Sequence, residues 1–157
     1  MELQSAIELI EGGVPRDEKQ SWADLGAGSG LFTKALSKLL PEGSSIVAID
    51  KSVSKIDGPG IKTQKGNFLD LDFQDTDGIV MANSLHYVKD QKDFLEKLSK
   101  KTKRLILVEY NTDKGNRWVP YPLSFNKLRS IFPNAEQIGE GSSQYHREGM
   151  YSALIIF

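Results

Sequence analysis

The 157-residue chain is 39% hydrophobic and 26% charged, enough apolar material for one globular domain to bury a core and too short for two full domains. A net charge of −1 and a pI near 6.1 give no global attraction for a polyanion, which sets nucleic acid at a disadvantage apart from a local patch. The absence of cysteine excludes disulfides, thiolate catalysis and thiolate metal ligation.

The opening MELQSAIELIEGG lacks the basic n-region and long apolar core of a signal peptide, and no apolar run reaches the roughly 18 residues of a membrane span; the expectation is a soluble, cytoplasmic protein with no membrane partner. Leu3, Ala6, Ile7 and Ile10 recur at helical spacing and Gly12-Gly13 with Pro15 end the pattern, so residues 2–11 are predicted to form a short helix, with 1–20 as its lead-in. SWADLG then reads as a buried strand, followed by a helix whose face carries Leu31, Phe32, Ala35, Leu36, Leu39 and Leu40 and which stops at Pro41-Glu42-Gly43. SSIVAID completes a βαβ unit. IKTQKGNF and DGIVMANS are predicted as the third and fourth strands. Only LDLDFQDT lies between them, short for a crossover helix, so an irregular or single-turn connection is expected. A helix from about Gln91 to Lys101, the strand KRLILVEY, a helix in LSFNKLRSIFP and two final strands, AEQIGEG and MYSALIIF, finish the chain. The alternation predicts an α/β fold over residues 21–157: a mostly parallel sheet covered on both faces, with a final antiparallel strand.

In such a sheet a ligand sits beyond the carboxyl ends of the strands. DLGAGSGLFTK places Gly26, Gly28 and Gly30 after the first strand, where backbone without Cβ atoms turns tightly and approaches a ligand while the amides of the new helix face it. Asp50 ends the second strand, 24 residues after Gly26, where a carboxylate can accept hydrogen bonds from both ribose hydroxyls. A dinucleotide fingerprint, G-x-G-x-x-G, requires its last glycine where Leu31 stands, which argues against a pyrophosphate and against a nicotinamide-dependent oxidoreductase.

The stretch DLGAGSG resembles motif I of class I S-adenosylmethionine-dependent methyltransferases, and the resemblance runs from about Ser21 to the C-terminus. It implies that family's Rossmann-like, seven-stranded sheet, S-adenosyl-L-methionine as cofactor and methyl transfer as the reaction. It further implies that Asp24, Gly26, Ala27, Gly28 and Gly30 pass the methionine part of the cofactor, that Asp50 binds ribose, that Lys51 flanks the adenine, and that Gly66-Asn67-Phe68 stands at the adenine. There the family often has an acid; the amide oxygen of Asn67 can accept the same hydrogen bond. ANSLHYV places Asn83 beside the cofactor and its methyl group.

The two histidines, His86 and His146, fall in loops over the ligand-facing edge, and with Tyr145 they are the candidates to take a proton from an acceptor. Tyr87 and the long connection after the fifth strand, with Asn111, Arg117, Trp118 and Tyr121, are candidate substrate contacts. The sequences around NRWVPYP and SQYHREGMYSA also look like those of small stand-alone bacterial methyltransferases without an assigned substrate. The scattered Asp70, Asp72, Asp75 and Asp77 read as a solvated loop, and no metal is expected. NSLHY stands where many amino-methylating enzymes of nucleobases and glutamine carry NPPY, so a small-molecule acceptor is favoured. A protein or RNA acceptor, and a module that binds the cofactor without catalysis, are the alternatives; oligomeric state is not readable.

Overall fold

The computed structural model describes residues 1–157. Seven strands, β1 (Ser21–Leu25), β2 (Ser45–Asp50), β3 (Ile61–Lys65), β4 (Gly78–Ala82), β5 (Arg104–Tyr110), β6 (Glu136–Gly141) and β7 (Met150–Ile156), form one sheet in the order β3-β2-β1-β4-β5-β7-β6. The contacts among β1 to β5 are parallel, and β7 runs antiparallel between β5 and β6. The order reverses between β1 and β4, which puts the turn after β1 at the switch point.

Successive residues of the interior strands face opposite sides, so each strand serves two cores. In β5, Leu105 and Leu107 join Ala23, Leu25, Ile79 and Met81 against α3 (Gln91–Leu98) and α4 (Phe125–Ile131). Ile106 and Val108 instead join Trp22, Ile46 and Val80 against α1 (Leu3–Ile10) and α2 (Leu31–Leu39). The apolar stripes of α2 and α3 fall on the faces that the sequence spacing selects, with Phe32, Ala35, Leu36 and Leu39 buried on one and Phe94, Leu95 and Leu98 on the other.

Several boundaries are shorter than the sequence suggests. The first helix passes into a single 3-10 turn at Glu11–Gly13, and α3 stops at Leu98, where the amides of both Lys101 and Thr102 donate to the Leu98 carbonyl and wind the chain off the helix. Strand β3 ends at Lys65 because Asn67 bends the chain, its Oδ1 accepting from the Leu69 amide at 3.1 Å. The β3 to β4 connection is one 3-10 turn, Phe68–Asp70, followed by irregular chain. No helix covers residues 51–60; Ile56 packs that segment against Ala27 and Ala48.

Trp22 is the largest side chain buried in this sheet, and its indole N–H donates to Gln20 Oε1 at 2.8 Å, which satisfies its one polar atom. Its ring fills the space beside Gly78, where a Cβ would collide with the indole. Because the indole is fully buried and held by its hydrogen bond, it has no room to retreat. Gly78→Ala is therefore expected to destabilise the protein by about 1–3 kcal/mol, the usual cost of overpacking, read as a lowered urea midpoint at an unchanged slope.

Candidate functional site

Four polar residues stand at the carboxyl ends of adjacent strands: Asp24 on β1, Asp50 on β2, Asn83 just after β4 and Glu109 on β5. Asp50 organises the turn beside it. Its Oδ2 accepts from the Gly28 amide at 3.0 Å and its Oδ1 from the Ser52 amide at 2.9 Å, while its carbonyl accepts from the Gly66 amide at 3.0 Å. The glycine turn is also tied to β2 through the amides of Gly26 and Ala27, both donating to the Ile49 carbonyl. Gly26 is held at φ 80°, and a Cβ there would run into Ser84; Gly28, at φ 52°, borders open space.

These elements surround a cleft of about 490 Å³ lined by Gly26, Gly28, Asp50, Lys51, Asn67 and Phe68, and closed on its far side by Asn83, Ser84 and Tyr87. Asn83 and Tyr87 also border a second cavity of about 450 Å³, whose other walls are His86, Tyr110, Trp118, Tyr145 and His146 with Asn116 and Val119. A third groove of about 430 Å³, between α1 and the loop joining β6 to β7, reaches the same junction at Asn83, Tyr110 and Tyr145.

Asn83 is the shared wall. It adopts the left-handed conformation at φ 51°, held by its amide donating to the Val108 carbonyl at 2.8 Å. Its Oδ1 is buried without a hydrogen-bond partner, while its Nδ2 meets only the Met150 sulfur at 3.8 Å. The Asn83 residue borders both cavities while its side-chain oxygen stays buried and unsatisfied within the protein.

In the second cavity, His86 and Glu109 form a buried pair, 2% and 1% exposed. His86 Nδ1 lies 2.7 Å from Glu109 Oε2, and the His86 amide donates to Glu109 Oε1 at 3.2 Å, so both carboxylate oxygens are engaged by one residue. The His86 carbonyl in turn accepts from the Tyr121 amide at 3.0 Å.

A sequence-family model described as Methyltransferase domain matches residues 23–105, more than half of the chain. The chain belongs to the class I methyltransferases. A search of curated proteins finds no match. Among solved structures, the fold is similar to a cyclopropane-fatty-acyl-phospholipid synthase-like protein from Lactobacillus casei, with a TM-score of 0.78 at 9% identity over 99% of this chain and 90% of that one. It is also similar to a SAM dependent methyltransferase from Aquifex aeolicus, with a TM-score of 0.67 at 18% identity over 99% and 98%. The bifunctional kinase-methyltransferase WbdD matches over 98% of this chain but only 38% of its own length, with a TM-score of 0.71 at 16% identity. The methyltransferase fold is shared at identities too low to carry a substrate across.

Within this methyltransferase, seven residues singled out by sequence, Gly26, Gly28, Asp50, Lys51, Asn67, Phe68 and Asn83, meet in the first cleft. Asp24, Ala27 and Gly30 lie behind it. Gly30 caps α2 at φ 82°, and Ala27 packs with Ala48 and Ile56. His86, Tyr87, Trp118, Tyr145 and His146 come together around the second cavity. Asn111 stands apart, its Oδ1 accepting from the Phe125 amide at 3.0 Å at the start of α4, and Arg117 lies over the Trp118 ring, 5.7 Å from its centroid. Tyr121 contributes backbone: its carbonyl accepts from Gln91 Nε2 at 2.8 Å. Glu109 and Tyr110 were not among the residues singled out. The signal was present, since Glu109 is an acid near the carboxyl end of a strand with an apolar middle, the kind of position that selected Asp50.

Asp24 is buried at the root of the turn, accepting from Thr33 Oγ1 at 2.6 Å. Burial raises its pKa to about 7; the hydrogen bonds from Thr33 oppose that shift and the Asp50 charge adds to it. Near pH 3 and below, Asp24 is protonated in the native state and largely so in the unfolded state, and the folded state suffers no penalty. As pH rises towards 7 the unfolded chain releases this proton while the native protein keeps it, so stability falls across that window and levels off above it. Asp24→Asn keeps an acceptor for Thr33 without the charge. Urea denaturation should find variant and parent alike near pH 3, with the variant progressively more stable towards pH 8; a difference independent of pH would show that Asp24 ionises like an exposed acid.

Proposed function

We propose that the protein binds S-adenosyl-L-methionine in the first cleft and transfers its methyl group to a small molecule held in the second cavity. The observation that carries this reading is the juxtaposition: a cleft built from the glycine turn and Asp50 abuts an aromatic cavity across a wall made of Asn83 and Tyr87. The residues present suit the donor. Gly28 leaves room for a ligand against the backbone, Asp50 offers carboxylate lone pairs for ribose hydroxyls, and Phe68 with Lys51 and Asn67 supplies a flat, polar-edged slot for a purine. Asn67 Oδ1 already holds the Leu69 amide, and its second lone pair is the one left for an adenine amino group.

Bound S-adenosylmethionine supplies an activated methyl group on a sulfonium, so the chain's task is alignment of the reacting atoms to about 3 Å and exclusion of competing water. Asn83, the residue that borders both spaces, is the one we assign to the methyl-bearing end of the donor. The acceptor's place is framed by Tyr87, Tyr110, Trp118 and Tyr145. Trp118 and Tyr145 are 74% and 81% exposed, so they edge the cavity and do not plug it, which favours catalysis over passive binding. A small acceptor is favoured over a macromolecule by the cavity's size and by the lack of a basic excess.

Calorimetric titration with S-adenosylmethionine, S-adenosylhomocysteine and NAD in one buffer tests the assignment. Micromolar binding of the first two and none of NAD is expected; tight binding of NAD alone would overturn it. Asp50→Ala should lower affinity for S-adenosylhomocysteine by about 1.5–3 kcal/mol, roughly 10- to 150-fold, with an unchanged circular-dichroism spectrum. Unchanged affinity would remove Asp50 from the ribose site.

A further inference from the structure

We infer that the acceptor is an uncharged, planar aromatic hydroxyl compound, and that His86, set by Glu109, is the base that takes its proton. This inference rests on the donor site proposed above and names what fills the cavity beside it.

The first argument is the state of the histidine. A carboxylate only accepts, so Glu109 Oε2 at 2.7 Å places a proton on His86 Nδ1, and in the neutral imidazole that leaves Nε2 with a free lone pair. Nε2 makes no hydrogen bond within the protein and is not among the buried atoms that lack a partner, while His86 is otherwise enclosed and lines the cavity. The exposed sliver of this residue is thus a proton acceptor opening on the space next to Asn83. Structural histidines spend both nitrogens; this one is held firmly by the first and offers the second.

The second argument is the lining. Tyr87, Tyr110, Trp118, Tyr145 and His146 present flat rings, with Tyr110 and His146 4.4 Å apart between centroids, and such walls accept a planar ring by stacking. No carboxylate lines the cavity, Glu109 being consumed by His86 behind it, so an alkylammonium has no counter-ion there. The choice between hydroxyl and amine follows from the base. A neutral aromatic amine already carries a nucleophilic lone pair, whereas a hydroxyl of this kind becomes a strong nucleophile only when its proton is removed.

The step balances without a further reagent. The acceptor hydroxyl gives its proton to His86 Nε2, the oxygen forms a bond to the methyl carbon as the methyl–sulfur bond breaks with its electron pair left on sulfur, and the imidazolium passes the proton to solvent. Glu109 touches neither reactant; it is a positioning residue that fixes the tautomer and steadies the positive charge that His86 takes up.

Calorimetric and absorbance titrations of the protein saturated with S-adenosylhomocysteine, using 4-nitrophenol, 4-nitroaniline and nitrobenzene, decide the matter. In a buffer acidic enough to keep the free phenol protonated, the phenol should bind about ten-fold or more tightly than the other two, with the absorbance of its anion appearing on binding. His86→Asn, whose amide can still donate to Glu109 from the Nδ1 position, should bring the three ligands to within about two-fold and abolish the anion signal while S-adenosylhomocysteine binds unchanged. Nitrogen NMR of the His86 ring should show the proton on Nδ1 in the parent and a changed tautomer balance in Glu109→Gln, with no ligand needed. Equal binding of the three compounds, no binding of any, a preference that survives His86→Asn, or a ring protonated on Nε2 in the parent would each overturn the inference. Failure to bind S-adenosylhomocysteine is a different result: it removes the donor site, and this inference with it.

Discussion

A parallel sheet packed on both faces admits polar side chains only where its strands end. That constraint places the chemistry of this protein. Along β1, β2, β4 and β5 almost every side chain is shared between two apolar layers, and the polar residues Asp24, Asp50, Asn83 and Glu109 gather at one edge because the middle of the sheet would charge each a desolvation penalty without a partner. The same strand polarity brings four consecutive carboxyl ends to one side, so groups distant in sequence become neighbours. Glu109 meets His86 across 23 residues of chain, and Gly28 meets Asp50 across 22.

The acids at this edge are not equivalent, and the difference is environmental. Asp50 accepts two backbone amides at a half-open position and remains available to a ligand. Asp24 is closed in behind Thr33, where burial favours its neutral form and the nearby Asp50 charge favours it further. Glu109 is as buried as Asp24 but lies against the ring nitrogen and the backbone amide of one histidine. The edge thus contains an acid bordering the first cleft, an acid buried at the root of the glycine turn and an acid paired with a histidine. Burial and partners separate these roles, since all three are ordinary carboxylates in sequence.

Hydrophobic periodicity and turn residues revealed most of this architecture because each core-facing stripe is unbroken. The apolar run of β5 and the spacing of α2 allow only one reading. What was missed has specific causes. Asn111 looks like a ligand contact in a long loop, yet the start of α4 folds back on it and takes its side chain as a partner. Glu109 was hidden by its neighbours: inside RLILVEY an acid reads as the end of a strand, and only the parallel pairing of β4 with β5 reveals that a histidine from the turn after β4 arrives opposite it. Local pattern reports which residues are buried. It cannot report which buried polar groups pair across the sheet edge.

The floor and the rim of the second cavity are built to different standards, and the contrast bears on how an acceptor is chosen. The floor is fixed before any ligand arrives. Glu109 holds His86 at two points, Gln91 Nε2 donates to the carbonyls of both Leu85 and Tyr121, and the Tyr121 amide closes on the His86 carbonyl. The loop above is shaped by its own backbone bonds, with Asn116 Oδ1 accepting from the amides of Trp118 and Val119 and Asp113 bonding Ser124 at the start of α4. The side chains of Trp118 and Tyr145, however, stand mostly in solvent, and the Trp118 indole is met by the Arg117 guanidinium. If an acceptor fills this cavity as proposed, orientation of the reacting atoms draws on a preorganised floor and costs little on binding, while its outer surface meets aromatic rings that can settle against various flat shapes. On that reading the site is strict about the atom it methylates and tolerant about the rest of the molecule that carries it.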